Sequence, residues 1–493
     1  MRALFVAFVL CGLVAGCSGV SAPTDAFIPI AQAGTQPALR LRSAVAADVD
    51  HGVLFRYPPS APLRQGASVW RPVQLSEAHA LQAISSRTMQ VDLPDGQRMQ
   101  LHYERRIEHP DGNWTWIGRA GRTGSQPAVL TFGEKAVFGV LPGADGGALQ
   151  VATVRGRTWL VEGAAALPDA AGDGVPDTVP APVASSSAKT QAAMQLPASF
   201  ATATTASVVD VAIGYTKGLA DALGGRSQAL TRLNNVVAIA NQAYADSQID
   251  LTLVLAAAVE VDYPDATSNR SALFELSGVQ CVGAIGSQLP DGGVDCSPAR
   301  VPKPLLPLLG ARNSSGADLM VLMRKLVDPG VQSCGTAWKL GGGQTQITAA
   351  DAPFAVSIVT DSSTGNVGGN SCRDDWLAHE TGHNFGLQHD AVAAQGTDDT
   401  DDDGNLLDPE EYGAFPYSFS YSTDTVATIM SVRRTGQTVY RVFANPDITL
   451  CGGAACGVAG ESDNALSMSQ TMPVVAAFRS PPVLTTRCTK NCG

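Results

Sequence analysis

The stretch WLAHETGHNFGLQHD, residues 376–390, places three of the chain's seven histidines within eleven residues. Its first part, to Gly386, reads as a helix that ends at or near that glycine. Residues four apart on a helix share a face, so His379 and His383 point the same way and can hold one ion. Glu380 is turned from them by about 100°. It therefore stands beside the ion rather than on it, where a base is needed to deprotonate an activated water. Gly386 supplies a turn that a residue with a Cβ resists. The chain then reverses and brings back His389 as a third ligand. Three protein ligands leave a fourth position open, as a catalytic zinc needs, whereas a structural zinc is closed by four. A bare H-E-x-x-H also arises by chance, but the extended H-E-x-x-H-x-x-G-x-x-H is far more specific.

This extended pattern resembles the metzincin superfamily of zinc peptidases. Asp390, directly after the third histidine, narrows the resemblance to the reprolysin (adamalysin) branch. There the aspartate supports the base of the site and is not a ligand. The resemblance also implies a methionine turn beneath the zinc, and TIMSV supplies Met430 at a fitting distance. FANPDI, from Phe443, resembles a segment that follows this turn in bacterial reprolysin-like enzymes. The likeness covers roughly residues 205–480. It implies a zinc-dependent endopeptidase in which Glu380 takes a proton from water and passes it to the leaving amine. An extended substrate would add to an edge strand, and CGTAWKLGGGQTQI, from Cys334, is the candidate for that edge. Two features depart from the wider pattern. Val432 stands where some metzincins carry a tyrosine ligand. Residues 18–280 contain no cysteine, so a cysteine switch is absent.

Outward from this centre, the chain divides by composition. In residues 1–17, Arg2 is a short positive n-region before an apolar run to about Val14, too short for a permanent membrane span, so the segment reads as an export signal. Val14-Ala15-Gly16-Cys17 resembles a bacterial lipobox, which would make Cys17 a lipid attachment point. Ordinary cleavage near the same place is the alternative. The expected location is the cell envelope, with an outer-membrane lipoprotein in view, or the medium. Residues 25–162 carry alternating strand patterns. One, MQLHYERRIEHPDGNWTWIGRAG, folds around a Pro-Asp-Gly turn as a hairpin does. The reading is a β-rich propeptide that blocks the cleft sterically or through a carboxylate. Residues 163–205 are rich in Ala, Pro, Ser and Thr and read as a linker. DAAGDGVPD within it resembles a degraded calcium repeat and is assigned to the linker. A cut near Lys189 or self-cleavage would release the propeptide.

Residues 206–480 alternate strands and helices, as in an α/β domain with helices on a mixed sheet. Strands are expected at VVDVAIGY, DLTLVLAAAVEVDY, ADLMVLMRKL and FAVSIV. An amphipathic helix is expected from Arg226 to Gln248 and a further helix at DNALSMSQTMPVVAAF. Residues 481–493 form a tail. The eight cysteines outside the signal are Cys281, Cys296, Cys334, Cys372, Cys451, Cys456, Cys488 and Cys492. An even number in an exported chain favours disulfides. Proximity pairs 281–296, 451–456 and 488–492 and leaves 334–372, although sequence alone does not prove the pairing.

Residues 398–411 hold eight of the chain's carboxylates. Asp399, Asp401, Asp403, Gly404 and Glu410 fit D-x-D-x-D-G-x5-E, a calcium-loop pattern. A solvated acidic insertion is the plain alternative. The net charge of −12 argues against nucleic acid as partner. Protein or peptide substrates are expected, with a membrane touched only through a lipid anchor. The competing function is a non-catalytic calcium-binding surface protein on the same scaffold, which would have no need of Glu380. A zinc hydrolase of other amides is a further rival.

Overall fold

The computed structural model describes residues 43, 45–121, 126–143, 147–163, 177–182, 206–282, 295–395 and 406–479. Cys17, Lys189, Cys488 and Cys492 lie outside them. Among the described residues no helix is long and apolar enough to cross a membrane.

The first half builds a nine-stranded antiparallel sheet between Leu63 and Glu162. Its hairpin at Pro110-Asp111-Gly112 turns on Gly112 at φ 86°, with Asp111 Oδ1 accepting the Asn113 amide at 3.0 Å. One face closes over a core in which Trp114 stacks on Phe132 at 4.5 Å. Strands β1 (Pro127–Phe132) and β2 (Val137–Pro142) are buried at every position. Their continuous apolar runs mark strands covered on both faces.

The cover comes from the second half. Its sheet contains β3 (Thr178–Pro180), β4 (Ser207–Thr216), β5 (Leu251–Val261), β6 (Leu319–Lys325), β7 (Gly335–Lys339) and β8 (Val356–Asp361). The order is β3-β7-β8-β6-β4-β5. Strands β4, β5, β6 and β8 run parallel. β7 is antiparallel to β8, and β3 runs parallel to β7. Helix α1 (Arg226–Asp246) lies between the two sheets. The sequence pattern predicts one apolar face and one polar face, but fifteen of its 21 residues are buried. Leu233, Val237, Ala240 and Tyr244 pack on the second sheet. Ala238 and Ile239 pack on Ile117, Val129 and Val140 of the first. The polar stripe is buried, and its groups are satisfied from both halves. Asn234 donates to Asp111 at 2.7 Å and Asn235 to Thr131 at 3.2 Å. Arg232 reaches Asp361 at 2.6 Å and Asp374 at 2.7 Å. A polar helix face thus becomes an interdomain surface, where each buried polar group needs such a partner.

Helix α2 (Trp376–Asn384) carries the histidine motif, and α3 (Asn464–Val475) packs near the C-terminal end of the described chain. Disulfides join Cys281 to Cys296, Cys334 to Cys372 and Cys451 to Cys456. The second ties the start of β7 to the loop before α2 across 38 residues. Closing a loop of that size removes unfolded-state entropy of about 4 kcal/mol. The bond therefore pins β7 to the approach of the histidine helix.

Candidate active site

Helix α2 is buried along its whole length, because its neighbours hold it on several sides. Tyr244 of α1 meets Thr381 at 3.1 Å and stacks on Phe443 at 5.3 Å. The helix closes at its cap Phe385, and Gly386 follows at φ 83°, where a Cβ would overlap Ala414. Leu387 then donates its amide to Gly382 O, and Gln388 pairs with Ser418 O at 3.0 Å. This return delivers His389 to His379 and His383, with ring centroids 5.4 and 4.9 Å apart.

Backbone acceptors orient the first two rings. His379 Nδ1 meets Ile429 O at 2.8 Å and His383 Nδ1 meets Leu387 O at 3.0 Å. With Nδ1–H donating, each Nε2 keeps its lone pair and faces inward. Burial, then His389 and His379, push His383 well below the usual imidazole range. That keeps the ring neutral, as a metal ligand must be. Ile429 is followed by Met430, fully buried, whose sulfur lies against Gly382 so closely that a Cβ there would overlap it. A glycine inside a helix costs about 1 kcal/mol relative to alanine, and here it makes room for the methionine. Asp390 is turned away from the rings. It accepts from the Val432 amide at 3.2 Å and pairs with Arg434, so it ties the third-ligand loop to the methionine turn. The Glu380 carboxylate lies against Gly335 of β7, where a Cβ would overlap Oε1.

The open fourth position expected from the motif is filled. Asp177, almost fully buried, stands among the three rings. Its oxygens lie 3.3 Å from His379 Nε2, 3.0 Å from His389 Nε2 and 4.0 Å from His383 Nε2. Burial disfavours the ionised carboxyl, but His389 and His379 outweigh it and hold Asp177 well below the usual carboxylate range. Residues 163–205 are therefore not linker throughout. Asp177 enters the site, and Thr178–Pro180 adds β3 to the exposed side of β7. The Ala337 amide donates to Asp177 O at 2.9 Å, and Ala181 donates to Lys339 O at 3.3 Å. Val179, 1% exposed, joins the core that contains Trp338. The missed signal was an aspartate directly before the strand-forming Thr-Val-Pro.

These four groups fit zinc. The Asp177 oxygens and the Nε2 atoms of His379 and His383 are buried and make no hydrogen bond. All four ligand atoms fall within 4.8 Å of one another. Bonds of 2.0–2.1 Å in a tetrahedron put ligand atoms about 3.3 Å apart, and the Asp177 separations bracket that value. A site of hard oxygen and imidazole nitrogen also suits the ion's chemistry.

Residues 205–462, just over half of the chain, match the family described as metallo-peptidase family M12B, reprolysin-like. The chain belongs to that family. Its similarity to a peptidyl-Asp metalloendopeptidase of Stenotrophomonas maltophilia (strain K279a) is 28% identity over 277 residues. That match spans 56% of this chain and 54% of the relative, so the chain covers about half of the relative's length. Among solved structures, metalloproteinase-II from Bacteroides fragilis matches at TM-score 0.33 and 11% identity, over 67% of this chain and 89% of that one. A chaperone–substrate complex matches at TM-score 0.36 and 16% identity, over 56% and 36%. Scores this low carry no weight for the fold.

For this reprolysin-like chain, the contact of Gly335 with Glu380 makes a prediction. Gly335→Ala should displace the carboxylate and lower kcat/KM at least about 100-fold, since a misplacement near 1 Å costs that much. Zinc content should not change, because no ligand moves. Elemental analysis beside a peptide-hydrolysis assay checks both.

The acidic loop is only partly described. Asp399, Asp401 and Asp403 lie outside the described residues. Glu410 sits in a 3-10 turn, Pro409–Glu411, and its carbonyl accepts from Lys339 Nζ at 3.2 Å. The helix before the loop, Ala391–Ala394, has four residues, far shorter than the helices that flank an EF-hand loop.

Proposed function

We propose that the chain is a zinc-dependent endopeptidase that cleaves protein substrates, with Glu380 as general base, and that it is made as a zymogen closed by Asp177. The observation that carries this reading is the convergence of three histidine Nε2 atoms with Asp177 on one buried point, with Glu380 directly after His379 on the same helix. His379, His383 and His389 would hold the ion. Zinc, when bound there, supplies Lewis acidity, which makes water easier to deprotonate and the scissile carbonyl easier to attack.

The remaining steps belong to the chain. Once β3 leaves, β7 is the edge of the sheet, and its Ala337 amide, now given to Asp177 O, becomes available to a substrate carbonyl. Glu380 takes a proton onto a carboxylate oxygen from the attacking water. It then gives that proton to the departing amine nitrogen, which leaves a new carboxylate and a new amine. Its contact with Gly335 places the carboxylate under the start of the strand that would bind substrate. In the uncut chain the carboxylate of Asp177 holds the place the substrate carbonyl would need, so the N-terminal half acts as a propeptide. The relative is named for peptidyl-Asp cleavage, so peptides with Asp on either side of the scissile bond form the first substrate panel. Export and lipid attachment at Cys17, and calcium at the acidic loop, rest on sequence pattern. Elemental analysis of the purified protein tests the metal reading. It should find one zinc per chain, lost in His383→Ala. A protein that holds no zinc would contradict it.

A further inference from the structure

A zymogen can open in two ways when it is cut. Either the blocking group departs with the cut, or the fragment that carries it stays bound. Which way applies depends on which side of the cut the blocking group lies and what holds it there. Asp177 and all of β3 lie N-terminal to Lys189, near which an activating cut is expected. Hydrolysis of one peptide bond there consumes one water and leaves a carboxylate upstream and an amine downstream. It breaks none of the contacts that place Asp177 in the site.

Those contacts are many and largely buried. Ala136 and Phe138 of the N-terminal half belong to the core of the second half, and Ala238 and Ile239 of α1 belong to a cluster with Ile117, Val129 and Val140. Polar bonds surround them. Gln150 donates to Asp374 at 2.8 Å, on the loop that leads into α2. Arg441 donates to Pro127 O at 2.6 Å, Gln126 to Val439 O at 2.8 Å, and Asn366 to Ser68 at 2.6 Å. These reach the helix, the methionine-turn region and the loop after β8, so the N-terminal half grips the catalytic half from several sides. An interface with an apolar centre and a satisfied polar rim is the anatomy of a stable complex.

We infer that the N-terminal fragment remains bound after the linker is cut and acts as a separable, non-covalent inhibitor, so that activation needs a second event that destroys or displaces it. This rests on the reading of Asp177 as the group that closes the metal site. The experiment replaces residues 186–195 of the full chain with the recognition sequence of a site-specific protease and cuts the purified protein completely. The expected result is one particle of the uncut size on a sizing column, containing both fragments, with casein cleavage within twofold of the uncut chain. Digestion of the N-terminal fragment by a second protease should then raise activity at least 100-fold. The column result is read again in the Glu380→Ala protein, where self-digestion cannot blur it. Separation of the fragments on cutting, with activity appearing at once, would overturn the inference. The Asp177→Ala chain, uncut, keeps the two ideas apart. If it stays silent while the second digestion activates the parent, the role of Asp177 falls. If it is active and the cut parent is too, only the retention of the fragment falls.

Discussion

Glu380→Gln, in the chain freed of its N-terminal half, should lower kcat/KM by about 10²–10⁴-fold while KM and zinc content hold. That range is what a positioned general base contributes. The substitution keeps the shape of the side chain, so the fit against Gly335 and the packing of α2 survive. It removes the only feature that matters for proton transfer, a carboxylate that can accept and return a proton. Because Glu380 is rotated from the face of His379 and His383, the ion is held without it. Steady-state kinetics on a quenched peptide, with elemental analysis of the same samples, checks the split between kcat and binding. Retention of full activity would place the base elsewhere.

Asp177→Ala acts in the opposite direction. In the uncut chain it should raise peptide hydrolysis by about 10²–10³-fold. Loss of one partner from a buried charged contact costs about 3–5 kcal/mol, and each 1.4 kcal/mol is a factor of ten in the open population. The gain is bounded because β3 still pairs with β7 through the Ala181 amide and the burial of Val179. Asp177→Asn should behave nearly as alanine does, since the amide keeps the size but not the charge that faces the three rings. An assay of uncut chains, verified as single bands before and after, reads the effect. An uncut Asp177→Ala protein as quiet as the parent, with zinc bound, would show that the strand alone closes the cleft.

The site was legible because its chemistry is written locally. The spacing of His379, His383, Gly386 and His389 follows from one helix and one turn, and the structure brings the three rings together by that turn. Met430 and Asp390 were readable only through family resemblance, since their contacts with Gly382, Val432 and Arg434 join segments some 40 residues apart. Strands β6 and β8 of the second half also stood out, because parallel strands buried on both faces read as continuous apolar runs. Two things escaped. The burial of α1's polar stripe could not be read, because sequence periodicity cannot say what lies opposite; Asn234, Asn235 and Arg232 find their partners more than a hundred residues away. Asp177 escaped for the same reason. It sits in a Pro- and Ala-rich stretch whose composition suggests no structure, and its partners lie about 200 residues further on. The identity of the fourth group is thus a tertiary fact, set by where the N-terminal half docks.

The most direct measurement follows casein cleavage by the Asp177→Ala chain through removal and return of zinc. Fragments are expected before chelation, none after the metal is stripped, and recovery when one equivalent of zinc is restored. Fragments that persist in the stripped protein, or a folded, fully zinc-loaded protein that produces none, would contradict the zinc reading.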